Sequence, residues 1–273
     1  MYLLFDMGGT KMRIAVSKDG KDIAELRVEP TPASFGDGIQ QFGRMVSELT
    51  EGKKIKAAAG GVPGPFNKDK TQIANAANLP GWNNMPLVRE LSKFIDTEIY
   101  LENDSAMAGL GEATFGAGKG KKIVAYLTTG TGVGGARIIN GEIDANSLGF
   151  EPGKQIIDCK NRKPLDLENL ISGHAIEKQF GKKPYEITDS KFWDKLAELL
   201  AYGVNNTIVH WSPDVVVLGG SMMKKIGIPV PRVEFYLKKI HTAFPVLPSI
   251  KKASLGDFGG LYGGLAYLKN LKK

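Results

Sequence analysis

The chain has 273 residues, of which 42% are hydrophobic and 24% charged, a composition typical of a globular protein and not of a disordered one. Its net charge of +7 comes from scattered lysines without interleaved aromatic residues, which favours a solvated basic surface over nucleic-acid binding. A single cysteine, Cys159, excludes an internal disulfide, and three dispersed histidines form no zinc-binding helix motif.

Strand and helix patterns alternate along the chain. Apolar runs predict strands at Tyr2–Phe5, Met12–Val16, Ile23–Val28, Ile55–Ala59, Glu98–Leu101, Ile123–Thr128, Ala136–Ile139 and Val215–Leu218. Apolar residues at helical spacing predict helices within 39–49, 87–95 and 192–208, and 105–113 is also helix-like. Short all-apolar strands followed by helices indicate an α/β protein with sheets covered on both faces. We expect Trp82 to pack in a core and Glu112 to be solvated.

The stretch "LLFDMGGTKM" near the start of the chain is the first chemical motif. A strand that reaches Gly8-Gly9 must turn sharply there, and glycine lets another group approach the backbone closely. An ionised carboxylate after a buried run, as at Asp6, is costly unless it meets a cation. The motif therefore indicates a phosphate-bearing ligand with a metal ion, although a simple hairpin turn remains open.

The chain contains a weak internal repeat. "GTKMRIAVSKDG" aligns without gaps with "GTGVGGARIING", and four positions are identical: Gly9/Gly130, Thr10/Thr131, Ala15/Ala136 and Gly20/Gly141. Asp19 and Asn140 each precede a glycine, a hairpin signal. Each half is thus predicted to begin with a strand, a Gly-Thr turn and a returning strand.

Three familiar motifs fail on inspection. "GTGVGG" matches the dinucleotide fingerprint, but the β-branched "ARIINGEI" follows it where that fingerprint requires a helix. Asp257-Phe258-Gly259 spells the protein-kinase DFG motif without a preceding H-R-D loop. No P-loop is present, because Gly153-Lys154 is followed by Gln155.

Seven segments in order resemble the ROK family of bacterial sugar kinases, within the actin/hexokinase/Hsp70 superfamily: "DMGGTK", "GGVPGPFN", "NLPGW", "ENDSAMAGLGE", "TTGTGVGGARIINGEI", "LENLISG" and "DVVVLGG". The resemblance runs from Tyr2 to about Gly220, and "GGLYGGLAYL" resembles the family's closing helix. It implies two actin-like (ribonuclease-H-like) α/β lobes with a nucleotide cleft between them. The first lobe would span 1–110 joined by the helix 256–273, and the second 111–255.

The resemblance also implies ATP and Mg²⁺ as cofactors. The matching ATP-binding residues are Asp6, Gly8, Gly9, Thr10, Lys11, Thr129, Gly130, Thr131, Gly132, Gly219 and Gly220. Asp6 would contact Mg²⁺, directly or through water. Backbone N–H groups in such turns form anion-binding concavities, while plain hairpins and a strand-ending turn at Gly219-Gly220 remain the alternatives.

Asp104 follows a predicted strand and opens a helix, where aspartate is a favoured N-cap. The resemblance instead implies that Asp104 is the base that accepts the proton of a hexose 6-hydroxyl. The residues implied to bind the sugar are Pro63, Gly64, Asn78, Asn103, Asp104, Glu151 and Glu168. Glucose is the default sugar, with fructose, mannose and N-acetylated hexosamines open.

One segment departs from the family pattern. The family carries Glu-x-Gly-His with a downstream cysteine cluster that binds zinc, whereas this chain has Glu151-Pro152-Gly153-Lys154 and Cys159 alone. We therefore expect no zinc. Lys154 would contact a sugar oxygen, contact an acidic substituent, or take over the structural role of the metal.

Two other functions compete with a sugar kinase. A sugar- or nucleotide-sensing regulator of this family would carry a helix-turn-helix before the first Gly-Thr turn. Here the motif that contains this turn starts at residue 6, so we expect no helix-turn-helix before it. An actin-like ATPase would not need Asn103-Asp104 and Glu168. No secretory signal or bilayer-spanning run is evident, so we expect a cytoplasmic protein without nucleic-acid or membrane partners; a homodimer is open.

Overall fold

A computed structural model describes residues 1–76, 78–160 and 163–271. The strands in these residues are β1 (Tyr2–Met7), β2 (Lys11–Ser17), β3 (Glu25–Pro30), β4 (Ala57–Val62), β5 (Ile99–Asn103), β6 (Ile123–Thr129), β7 (Val133–Ile139), β8 (Glu142–Ile143), β9 (Ile156–Lys160), β10 (Lys163–Asp166), β11 (Val215–Gly219) and β12 (Ser249–Lys252). The helices are α1 (Phe35–Thr50), α2 (Leu87–Leu91), α3 (Asp104–Thr114), α4 (Leu167–Ile171), α5 (Gly173–Phe180), α6 (Ser190–Trp211), α7 (Val230–Ile240) and α8 (Gly259–Asn270). In these described ranges no helix is both long and apolar enough to cross a membrane.

The chain divides into two compact units that share one topology. The first unit comprises 1–114, 145–149 and 258–273, and the second comprises 115–144 and 150–257. Their sheets have the orders β3-β2-β1-β4-β5 and β8-β7-β6-β11-β12. In each sheet three antiparallel strands are followed by two parallel strands. The predicted repeat of strand, Gly-Thr turn and returning strand is therefore confirmed, as is the α/β class.

Both faces of the first sheet are covered by helices. One face carries the fully buried Phe5, which packs edge-on against Phe42 of α1 at 5.6 Å between ring centroids. Helix α1 begins at the Ser34 cap and presents its apolar stripe to this face. Trp82 packs in the same core, as predicted: it is 0% exposed and its indole N–H donates to the Pro32 carbonyl at 3.1 Å.

The other face of the first sheet packs against α3 and α8. These two helices approach each other closely because they meet at glycines: a Cβ on Gly111 or Gly263 would overlap the backbone of the neighbouring helix. Most of α3 is buried as a result. The prediction that Glu112 is solvated is wrong, since it is only 1% exposed.

In the second sheet all residues of β11, which lies between β6 and the edge strand β12, are buried. Val216 and Leu218 lie in a core with Leu200 and Val204 of α6, and with Leu237 of α7. The short loop between β7 and β8 is the two-residue hairpin predicted at Asn140: Asn140 and Gly141 have φ of 54° and 78°.

Some boundaries differ from the predicted ones. The helix predicted over 87–95 ends at Leu91, because the Ser92 hydroxyl bonds back to the Val88 carbonyl and the chain tightens into i→i+3 turns. Strand β4 begins later than expected and includes Gly60 and Gly61. Strands β8, β9, β10 and β12 were not predicted. Lys272 and Lys273, the last two residues of the predicted helix 256–273, lie outside the described residues.

Candidate active site

The first Gly-Thr turn joins β1 to β2. The Gly8 N–H donates to the Lys11 carbonyl at 2.9 Å. Thr31 fixes the turn from outside: its hydroxyl donates to the Gly8 carbonyl at 2.7 Å and its N–H to the Thr10 carbonyl at 3.0 Å. Within the described residues, the N–H groups of Gly9 and Thr10 donate to no acceptor. The turn therefore keeps two backbone donors available for an anion.

An ion pair lies beside this turn. Arg13 Nη1 donates to Asp6 Oδ2 at 2.9 Å, and the two side chains are only 14% and 13% exposed. The Asp6 carboxyl also lies against the start of α8, where a Cβ on Gly260 would be 2.8 Å from its Cγ. Asp6 pairs in register with Gly61 of β4, and Asp104 Cα is 2.9 Å from the position of a Cβ on Gly61. Arg13, Asp6 and Asp104 thus form a row across one face of the sheet.

Asn103, and not Asp104, caps the start of α3. Asn103 Oδ1 accepts the N–H groups of Ser105 at 2.9 Å and Ala106 at 3.2 Å, so Asn103 makes the N-cap bonds. Asp104 Oδ1 accepts the Ser105 N–H at 2.7 Å. Asp104 Oδ2 accepts no hydrogen bond from the part of the chain that the structure describes.

Burial and local hydrogen bonds act in opposite directions on the pKa of Asp104. Burial raises the pKa of the Asp104 carboxyl above its usual range, and the hydrogen bonds from Ser105 offset only part of this effect. A carboxylate with one uncommitted oxygen and a raised pKa is suited to accept a proton.

The predicted Pro63-Gly64 turn lies next to the start of α3. The Asn103 amide donates to the Gly64 carbonyl at 3.2 Å. Gly64 has φ of +86°, and a Cβ there would be 2.6 Å from the Asn75 carbonyl oxygen, so glycine is required at this point. Pro63 is buried. In the first unit the structure therefore brings together Gly64, Asn103 and Asp104.

Asn78 lies instead against the first Gly-Thr turn. A Cβ on Gly9 would be 2.7 Å from the Asn78 carbonyl oxygen, and the Asn78 residue itself is exposed. Its neighbour Ala77 lies outside the described residues.

The second Gly-Thr turn joins β6 to β7 and is held by the start of α5. The Gly130 N–H donates to the Gly132 carbonyl at 2.9 Å. The Gly130 carbonyl accepts from the Gly173 N–H at 2.8 Å, and the Thr131 carbonyl accepts from the His174 N–H at 3.1 Å. The N–H groups of Thr131 and Gly132 have no acceptor in the described chain. Both Gly-Thr turns therefore expose two consecutive backbone donors.

The glycine pair after β11 packs onto this second turn. Gly220 has φ of +94°, and a Cβ there would overlap the Thr129 carbonyl. A Cβ on Gly219 would be 2.5 Å from the Tyr126 hydroxyl oxygen. Ser221 Oγ lies 3.5 Å from the position of a Cβ on Gly130. The predicted residues from Thr129 to Gly132 and Gly219-Gly220 thus form one cluster in the second unit.

Lys154 forms an ion pair in the second unit. Its ammonium group contacts Glu168 Oε1 and lies 4.0 Å from Asp166 Oδ2. The hydrogen bond to Glu168 is the main reason why the pKa of Lys154 is raised, and the charges of Asp166 and Glu151 add to it. Glu168 Oε2 accepts the Val133 N–H at 2.8 Å, immediately after the second turn. Lys154 therefore positions the Glu168 carboxylate, which binds the backbone directly after the second Gly-Thr turn.

The described residues contain no group of three histidine, cysteine, aspartate or glutamate side chains placed to hold a metal ion. Cys159 is exposed on β9. The expectation that the protein binds no zinc stays a prediction.

Sequence reasoning missed several groups that shape the site. Thr31 and Ser221 are single hydroxyl residues without a motif, and the α5 residues Gly173 and His174 act through their backbone. Arg13 could have been found from the predicted fold: a charged residue within a strand needs a partner when both faces of the sheet are covered.

Two sheets of like topology, each with a Gly-Thr turn that presents free backbone donors, define an α/β protein with two actin-like lobes. The family comparison agrees with this class. The model of the ROK family matches residues 2–270, and the chain belongs to that family.

Several relatives match over almost their whole length. The glucokinase of Thermotoga maritima is 28% identical, covering 97% of this chain and 96% of its own. The N-acetyl-D-glucosamine kinase of Histophilus somni is also 28% identical, covering 97% of this chain and 98% of its own. Among solved structures, the ROK hexokinase of Thermus thermophilus superposes with a TM-score of 0.80 at 26% identity, covering 100% of this chain and 99% of its own.

Proposed function

We propose that the protein transfers the γ-phosphoryl group of ATP to the 6-hydroxyl of a hexose, with Asp104 as the general base. The similarity to relatives named glucokinase and N-acetyl-D-glucosamine kinase supports the class of reaction. The observation that carries the proposal is the Asp104 carboxyl: it has one uncommitted oxygen, its pKa is raised by burial, and Asn103 relieves it of the capping role.

The base has a limited task in this reaction. The sugar oxygen attacks the γ-phosphorus, the bond to the bridging oxygen of ADP breaks, and the hydroxyl proton passes to Asp104. Phosphoryl transfer depends mainly on positioning and on stabilising charge, so one well-placed carboxylate is sufficient. Asp104 is the first residue of α3, and this helix is packed between β4 and α8, which holds the carboxyl in place.

The two Gly-Thr turns are proposed to bind the phosphate chain of ATP. Each supplies two backbone N–H groups, from Gly9 and Thr10 in the first unit and from Thr131 and Gly132 in the second. Lys11, the first residue of β2, would add a cation. Gly219 and Gly220 would let the adenosine approach the backbone.

Magnesium ions usually keep several waters and bind few protein carboxylates besides the phosphates of a substrate. Asp6 fits such a role through a water molecule, because one of its oxygens is already paired with Arg13. Bound there, Mg²⁺ would neutralise phosphate charge.

Asn78, Asn103, Glu151 and Glu168 are the proposed partners for the sugar hydroxyls, because a sugar is recognised by several polar side chains aimed at adjacent hydroxyls. Lys154 is paired with protein carboxylates, so its charge is already balanced. We therefore expect a neutral hexose, glucose or an N-acetylated hexosamine, as the acceptor.

The test is Asp104→Asn, assayed with ATP and a panel of hexoses. We expect kcat to fall by about 10²–10⁴ while nucleotide affinity and the melting temperature change little. Asp189→Asn is the matched control, because Asp189 is the side-chain N-cap of α6. If Asp104 acted only as a helix cap, the two substitutions would have equal effects on kcat. Wild-type turnover by Asp104→Asn would refute the assignment of the base.

A further inference from the structure

Arg13 is a charged residue within β2. It lies on the same face of the sheet as its paired residue Asp6, and its side chain is only 14% exposed. A cation in such surroundings is costly unless it is paired. The ion pair with Asp6 accounts for its presence only in part.

A guanidinium group carries five N–H donors in a planar arrangement. One of them, on Nη1, is used by Asp6, and the described residues offer Arg13 no other acceptor. The Arg13 side chain is 14% exposed, so part of it is open to solvent. Arg13 therefore presents unused donors at an accessible point beside Asp6.

The position of these donors is set by the sheet register. Arg13 and Asp6 are paired residues on adjacent strands and lie on the same face. Asp6 is paired in turn with Gly61, which lies under Asp104. Adjacent strands are about 4.8 Å apart, so the guanidinium and the proposed base lie on either side of Asp6 at the edge of the sheet where the first Gly-Thr turn begins.

We propose that Arg13 is a phosphate-binding residue of the phosphoryl-transfer site, which donates to the terminal phosphate of the nucleotide while Asp6 holds its orientation. This inference rests on the proposed function. Guanidinium groups suit phosphate because their planar donors bind two oxygens at once and they stay charged at all working pH values. Arg13 makes and breaks no covalent bond; it stabilises the negative charge on the phosphoryl oxygens during transfer.

The alternative is that Arg13 only neutralises Asp6 and so maintains the fold. Lysine keeps the positive charge for Asp6 but cannot reproduce the planar, two-point contact with phosphate. Arg13→Lys therefore separates the two roles. Arg27→Lys is the matched control, since Arg27 is an exposed arginine on the neighbouring strand β3.

The experiment measures binding of AMP and of a non-hydrolysable ATP analogue by calorimetry, with EDTA present, together with kcat and melting temperature. For Arg13→Lys we expect about ten- to a hundredfold weaker binding of the ATP analogue and unchanged binding of AMP. The kcat for sugar phosphorylation should fall by a similar factor. Arg27→Lys should match the wild type in every measurement.

The assignment is overturned if Arg13→Lys binds the ATP analogue as tightly as the wild type, whether or not its melting temperature falls. It is equally overturned if AMP and the analogue weaken together. A selective loss of analogue binding in a protein that phosphorylates no hexose would uphold Arg13 and reject the proposed function.

Discussion

The contact of Glu168 with the second Gly-Thr turn allows a quantitative prediction. Glu168→Ala removes a charged acceptor from the Val133 N–H, and Val133 is only 3% exposed, so water replaces the lost partner poorly. Hydrogen bonds to charged groups contribute about 1.5–3 kcal/mol, and we expect a loss of that size in the free energy of unfolding. Lys154→Met should cost less than about 1 kcal/mol, because the Lys154 side chain is 54% exposed and exposed ion pairs are weak.

The assay is urea unfolding of both single variants and the double variant, combined with KM values for ATP and for the sugar. Because Val133 directly follows Gly132, Glu168→Ala should raise the KM for ATP as well as that for the sugar. Lys195→Met and Glu198→Ala form the control pair: this ion pair lies on α6, with side chains 65% and 28% exposed.

Glu168→Gln keeps a neutral acceptor for the Val133 N–H and should recover part of the loss. A Lys154→Met variant as unstable as Glu168→Ala, or a Glu168→Ala variant no less stable than the control pair, would refute this reasoning.

The same ion pair has a defined pH dependence. Glu168 raises the pKa of Lys154 above the ordinary lysine value of 10.5, so the stabilisation is complete below pH 10.5 and is lost as the pH rises through the raised pKa. The difference between wild type and Lys154→Met should therefore be constant from about pH 6 to 9, measured by urea unfolding.

Three further predictions concern other parts of the molecule. Since burial raises the pKa of Asp104, the rise of kcat/KM with pH should have an apparent pKa above the usual range of aspartate carboxyls. An apparent pKa within that usual range would contradict this. Gly220→Ala should weaken ATP binding at least tenfold, because its Cβ would overlap the Thr129 carbonyl. The control is Gly141→Ala, which has φ of +78° and open space around it and should only lower stability slightly. Equal nucleotide affinities of the two variants would contradict the role of Gly220. Trp82→Ala should cost about 3–5 kcal/mol in urea unfolding, and a loss below 1 kcal/mol would be too small for a fully buried side chain.

The hydrophobic pattern identified most of the sheet but not its edges. Strands such as β6 and β11 have continuous apolar runs because both of their faces are covered. The edge strand β12 carries two lysines and the hairpin β9–β10 is polar, so neither has the burial that produces a pattern. Glu112 was misjudged for the opposite reason: most of α3 is buried in the fold, and this burial includes a charged residue that the local sequence suggested was solvated.

The sequence by itself determined the two Gly-Thr turns, the strand-to-helix position of Asp104 and the departure at Lys154, because each depends on residues that are close together in the chain. Only the tertiary structure decided that Asn103 caps α3, that Arg13 pairs with Asp6, and that Lys154 holds Glu168 against Val133. Two of these are contacts between different elements, and the third is which of two adjacent side chains caps the helix. They are fixed by sheet register and helix packing, which one-dimensional spacing does not contain.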